Sequence, residues 1–76
     1  DKAEIQIIYQ KIIDIINTSL NEREKEIIFL RYGIGGGVPK TQNEVATELN
    51  ISRSYISRIE KKALHKLNKE LGGDKA

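Results

Sequence analysis

TQNEVATELNISRSYISRIEKKALHKL, residues 41–67, decides how this chain is read. It joins a short apolar-periodic segment to a longer one across a single Asn. Thr41 stands three residues before Glu44. At that spacing the cap hydroxyl accepts from a backbone N–H, and the glutamate reaches back to the cap. Val45, Ala46 and Leu49 then share the apolar side of a short helix over 41–49. Asn50 fits a left-handed turn position, which Asn tolerates better than most residues. Ile51 plugs the turn. Ser52 caps a second helix running to about Leu71, and Gly72 and Gly73 end it.

The packing residues fall in the register of a helix-turn-helix. Ala46 is small where the second helix must cross close to the first. Val45, Leu49, Ile51, Ile56 and Ile59 form the wedge between the helices. The stripe continues through Ala63, Leu67 and Leu71, with Leu64 at its flank. Opposite lie Ser54, Ser57, Arg58, Lys61, His65, Asn68 and Lys69, and Arg53 sits at the helix start. Short polar side chains let a helix sit deep in a major groove, where Arg can donate two hydrogen bonds to guanine. Arg53, Ser54, Ser57 and Arg58 are therefore candidate base readers. Lys61, Lys62 and Lys69 suit phosphate contacts, which position without specifying sequence. Thr41 and Gln42 begin the first motif helix, and their backbone N–H groups can hold phosphate.

A solvated basic face is the ordinary fate of a Lys-rich helix, but charge distribution argues for more. Residues 1–49 hold six basic against eight acidic side chains, and residues 50–76 hold seven against three. The overall +2 is thus a positive last third on a slightly negative remainder. A membrane-skimming role is disfavoured, because the apolar side is committed to the wedge and no Trp or Phe flanks it.

Upstream, NEREKEIIFLRY (21–32) reads as a helix capped by Asn21 and Glu24. Glu22 and Glu24 in its first turn and Arg31 in its last suit the helix dipole. Ile27, Ile28, Leu30 and Tyr32 make its buried side, and Gly33 stops it. GIGGGVPK (33–40) lacks the Gly-Lys-Ser/Thr tail and the preceding strand of a phosphate loop. It reads as a flexible connector. AEIQIIYQKIIDIINT (3–18) reads as another helix. Its Ile5, Ile8, Tyr9, Ile12, Ile13, Ile15 and Ile16 span an arc of roughly 160°, where one core needs about 100°. The excess either tolerates water or meets a second apolar partner.

The whole is an all-α, four-helix domain over residues 1–76 with a C-terminal helix-turn-helix at 41–71 and a disordered tail at 72–76. Seventy-six residues with 38% hydrophobic content support one thin core. No Cys is present, so disulfides and thiolate metal sites are excluded, and the lone His65 cannot build a metal site. No carboxylate pair stands beside a nucleophile, so neither an enzyme nor a cofactor or small-molecule substrate is expected. No run reaches a membrane span, and DKAEIQII is no signal peptide. The missing initial Met and the trailing GGDKA suggest a piece of a longer protein.

LNEREKEIIFLRYGI (20–34), a loop, and then residues 41–67 resemble region 4 of a bacterial RNA polymerase sigma factor. The resemblance rests on Leu20, Arg23, Glu24, Arg31, Tyr32 and Gly33 in the first block. In the second it rests on ISRSYISRIEKKALHKL. It covers roughly residues 18–71, and SRSYISRIEKKAL is nearest in wording to sporulation-type sigma factors. The resemblance implies recognition of the minus-35 element of double-stranded promoter DNA, as part of the polymerase holoenzyme in the cytoplasm at the nucleoid. Arg53, Ser54, Ser57 and Arg58 match its base-facing positions, and Thr41, Gln42 and Lys62 match phosphate-facing ones, with Tyr55 a further candidate phosphate contact. Lys62 and His65 lie where family members meet activators. The family also grips the flap of the polymerase beta subunit through apolar residues of its first helices, here Ile5, Ile8, Ile12 and Ile16. An anti-sigma factor would cover the same surfaces. Primary sigma factors carry more charge at the positions of Ser54, Tyr55 and Ser57, so their promoter sequence does not transfer. The rival reading is a response-regulator output domain or small repressor, which would dimerise on paired half-sites. The long EKKALHKL tail favours sigma.

Overall fold

In the computed structural model residues 1–72 are described, so the tail expected at 72–76 lies, Gly72 apart, outside the described residues. Four helices follow in order: α1 (Lys2–Ser19), α2 (Glu22–Tyr32), α3 (Gln42–Leu49) and α4 (Arg53–Glu70). No strand occurs among the described residues. α1 runs one residue further at each end than its periodicity predicts. Asp1 caps it and Glu4 closes a capping box, a pair the apolar pattern does not reveal.

The other starts follow the sequence. Asn21 and Glu24 exchange two hydrogen bonds of 2.9 Å. Thr41 and Glu44 do the same at 2.8 and 3.1 Å. Ser52 Oγ accepts from the Tyr55 N–H at 3.2 Å. Each arrangement satisfies N–H groups that a helix start leaves without partners. Asn50 takes φ 58°, ψ 46°, the left-handed conformation that reverses the chain between α3 and α4.

α4 packs against all three other helices. It does so through two adjoining apolar clusters. Ile16 and Leu20 from the end of α1 meet Ile28 and Ala63, with Ile12, Phe29, Ile34 and Leu67 around them. Ile27 of α2 meets Val45, Ala46 and Ile56, with Leu30, Leu49, Ile51 and Ile59 around them. Adjacent residues of α2 thus serve different clusters, because a 100° step between them turns their side chains apart. The second cluster is the wedge expected of the helix-turn-helix. Tyr32 departs from expectation. It is 44% exposed, and its hydroxyl donates to Glu60. Leu71 is likewise exposed, one turn beyond the last support α4 receives.

The loop over 33–40 is tied at both ends. Gly33 adopts φ 64°, and a Cβ there would stand 2.5 Å from the Gly37 carbonyl and 2.9 Å from Pro39. The Ile34 N–H donates to Phe29 O, and the Lys40 N–H donates to Leu30 O. Arg31 Nη1 donates to Lys40 O at 2.7 Å. The Gly35 N–H donates to the Tyr9 hydroxyl at 3.0 Å, tying the loop to α1. Lys40 is thereby fixed one residue ahead of the Thr41 cap, so α2 sets where the helix-turn-helix begins.

Candidate nucleic-acid interface

The start of α4 projects from the turn at Asn50. Arg53, Ser54 and Arg58 are exposed, Tyr55 is at the edge of exposure, and Ser57 is half-buried. Lys61, Lys62 and His65 follow on the solvent side. Among the described residues, Arg53, Arg58, Lys61, Lys62 and Lys69 have no acidic partner within ion-pair distance. Lys66 differs: its ammonium sits 2.9 Å from Glu24 Oε1. One face of α4 therefore keeps its positive charge uncancelled, as binding a polyanion requires.

Two phosphate-contact expectations change. The Thr41 N–H is not free, because the capping box gives it to Glu44 Oε1. The same box that starts the helix consumes that donor. Gln42 is half-buried and its amide is engaged at both ends. Nε2 donates to Glu60 Oε1 at 2.9 Å, and Oε1 accepts from Arg53 Nη1 at 3.0 Å. Its backbone N–H, in the first turn of α3, has no acceptor among the described residues and still points outward from the helix start.

Glu60 is the residue that reasoning from sequence passed over. It is 4% exposed yet accepts three side-chain donors. Arg31 Nε lies at 2.8 Å, Gln42 Nε2 at 2.9 Å and the Tyr32 hydroxyl at 2.6 Å. Burial pushes its carboxyl up, but the donors from Arg31, Tyr32 and Gln42 and the Arg31 charge outweigh this and hold it below the usual carboxylate range. The bond to Glu60 raises the pKa of Arg31, and that of the Tyr32 hydroxyl, in turn. A signal was present. On a wheel of 100° per residue, Glu60 lies only about 40° from Ile56, inside the apolar stripe. A carboxylate there needs partners.

Glu24 is the second buried acid, on the α1 side of α4. Burial pushes it up, while the Asn21 N–H, the Lys66 hydrogen bond and the charges of Lys66 and Lys62 bring it below the ordinary value. Among the described residues its Oε2 is buried without a hydrogen-bond partner.

The apolar residues expected to meet a polymerase separate into two groups. Ile5 and Ile8 are 65% and 59% exposed, beside exposed Ile7 and Tyr9, and Ile12 is half-covered. Ile16 is 1% exposed in the core. It is withdrawn from any partner, because α2 and α4 close over the last turns of α1 and leave its first turns uncovered.

With this geometry the comparisons with known proteins agree. Residues 18–69 match the family model described as sigma-70, region 4. The chain belongs to the sigma-70 region 4 family. The match takes in α2, the closed loop, α3 and nearly all of α4, and begins at the last two residues of α1. The RNA polymerase sigma-E factor of Clostridium acetobutylicum is 60% identical over 52 residues, covering 68% of this chain and 22% of that protein. The RNA polymerase sigma-28 factor of Bacillus thuringiensis subsp. kurstaki is 49% identical over 67 residues, 88% of this chain and 28% of that protein. The RNA polymerase sigma-K factor of Bacillus subtilis is 46% identical over 67 residues, 88% of this chain and 22% of that protein. The chain thus spans between 22% and 28% of the length of these relatives.

Proposed function

We propose that this region 4 chain reads the minus-35 element of promoter DNA as the C-terminal domain of a sigma factor, directing RNA polymerase to initiate transcription. The observation that carries this is the uncompensated, exposed start of α4, presented by a closed helix-turn-helix. Arg53, Ser54, Ser57 and Arg58 supply base contacts, and Tyr55, Lys61, Lys62 and the first turn of α3 supply phosphate contacts. It is a binding module and no enzyme, working beside the nucleoid in the cytoplasm. Among the described residues no helix is long and apolar enough to cross a membrane. The beta-subunit flap is the partner for Ile5, Ile8 and Ile12. Lys62 and His65, both exposed, are open to an activator or an anti-sigma factor.

An NMR titration of the chain with short duplexes tests the reading. One duplex carries a candidate minus-35 sequence and another the same bases scrambled, each at low and at raised salt. Shifts gathered on residues 42 and 53–62 that differ between the duplexes support it. Identical shifts that vanish together with salt would reduce the face to a phosphate-binding surface. For the flap, Ile8→Ser should weaken binding to a beta-flap fragment while the chain stays folded.

A further inference from the structure

We infer that the Gln42 side chain is a positioning group for base readout, aiming the Arg53 guanidinium at a guanine while its amide itself makes no contact with DNA. The inference rests on the reading of α4 as a base reader and names what directs its first side chain.

The argument begins at Arg53. It is the first residue of α4, exposed, and among the described residues its side-chain hydrogen bond is the one from Nη1 to Gln42 Oε1 at 3.0 Å. A guanidinium has five N–H donors, so most of the fork remains available. An unheld arginine loses rotamer freedom when it docks, and pre-ordering removes part of that cost. A carboxylate would order it equally well but would cancel the charge that draws it to DNA. A neutral amide orders it and leaves the charge intact.

The amide must then be held the right way round. Glu60 does this. A buried carboxylate that already accepts from Arg31 at 2.8 Å and Tyr32 at 2.6 Å only accepts. Gln42 must therefore turn its NH2 inward, at 2.9 Å, which turns its carbonyl outward to Arg53. The sequence Arg31/Tyr32–Glu60–Gln42–Arg53 links the C-terminus of α2 to the reading face. It crosses α3 and α4 eleven residues apart along the chain, at Gln42 and Arg53. The orientation of the base-reading arginine is thus set from inside the domain.

The test is a binding selection from a duplex library randomised over its central helical turn, at low salt. It uses the chain, Arg53→Ala and Gln42→Leu, with thermal melts confirming that each is folded. Leu matches the bulk of Gln at a half-buried helix start and removes both hydrogen bonds. In the unsubstituted chain a G·C pair is enriched at one position, and Arg53→Ala abolishes that enrichment. A bidentate contact predicts a loss on the order of tenfold. Gln42→Leu is expected to lower preference at that same base pair, by about threefold or more, and at no other. Its slope of log affinity against log salt is unchanged, since no phosphate contact is lost.

Equal weakening on all duplexes with a salt slope reduced by about one would make Gln42 a phosphate contact and overturn the inference. Full preference in Gln42→Leu, with Arg53→Ala defective, would also overturn it while leaving the base-reading function standing. If Arg53→Ala retains every preference, or the unsubstituted chain shows none, the base-reader reading falls and the inference with it.

Discussion

Ile56 and Ile8 sit on apolar stripes of two helices of equal length, eighteen residues each. Ile56 is fully buried and Ile8 is 59% exposed. α4 crosses the other three helices, so its stripe is covered along most of its length. Among the described residues, α1 is covered by other helices only from Ile12 onward, where α2 and α4 reach it. Its first turns stay out of the core because, among the described residues, no helix packs across them. Apolar periodicity therefore states that a helix has a face, and topology states whether that face is inside.

Substitutions can break or sharpen this contrast. The largest effect is expected at Ile56→Ala, which empties the centre of the wedge. It should cost about 3–4 kcal/mol, read by urea or thermal unfolding. A domain of this size has roughly 4–11 kcal/mol in total. A loss below about 1 kcal/mol would mean that the wedge collapses around the gap.

Glu60→Ala comes next, at roughly 3 kcal/mol, because it strands a half-buried Arg31 beside a polar cavity. Glu60→Gln separates charge from shape. The folded pKa of Glu60 lies below its ordinary 4.5, so the unfolded chain binds the extra proton first as pH falls. The stability contributed by Glu60 is complete above about pH 4.5 and is lost as pH drops through the folded pKa. The Gln variant should show a flatter acid limb in melts recorded between neutral and acidic pH. Glu24, shifted in the same direction, supplies the slope that remains.

At Asn50 the left-handed backbone predicts a smaller change. Asn50→Val should destabilise by about 1–2 kcal/mol, and Asn50→Gly should be close to neutral. Equal effects from both would show that the Asn side chain matters and its backbone conformation does not.

Ile8→Ser should change stability by less than about 0.5 kcal/mol. That is the sharpest form of the contrast: one stripe position that the fold needs, and one that it leaves to a partner. A substantial loss of stability at Ile8 would place the first turns of α1 in the core after all.

Much of the architecture was written locally. Asn21 with Glu24, Thr41 with Glu44, Ser52, Gly33 and Asn50 each act within a few residues of themselves. Their consequences could be read along the chain, and the α2, α3 and α4 boundaries followed within a residue or so. The wedge was legible because seven apolar and turn positions had to agree in register. The exposed basic face was legible from the charge asymmetry.

Other features needed the tertiary structure. Tyr32 reads as apolar on α2, but it is 44% exposed and gives its hydroxyl to a carboxylate 28 residues away. The glycine run reads as a connector, and the contacts that anchor it to Tyr9, Leu30 and Arg31 come from positions outside it. Ile16 and Ile8 have the same periodicity, and only the packing of α2 and α4 on the end of α1 separates the core residue from the exposed one. Gln42 looks like a phosphate contact by position, yet Glu60 and Arg53 claim both ends of its amide. Capping, turn and periodicity are properties of a few consecutive residues, so the sequence determined four helices, their ends and a helix-turn-helix. Which acid is buried, which isoleucine is free and which way an amide faces depend on groups brought together from distant positions, and only the packing of α4 on the other three helices decided them.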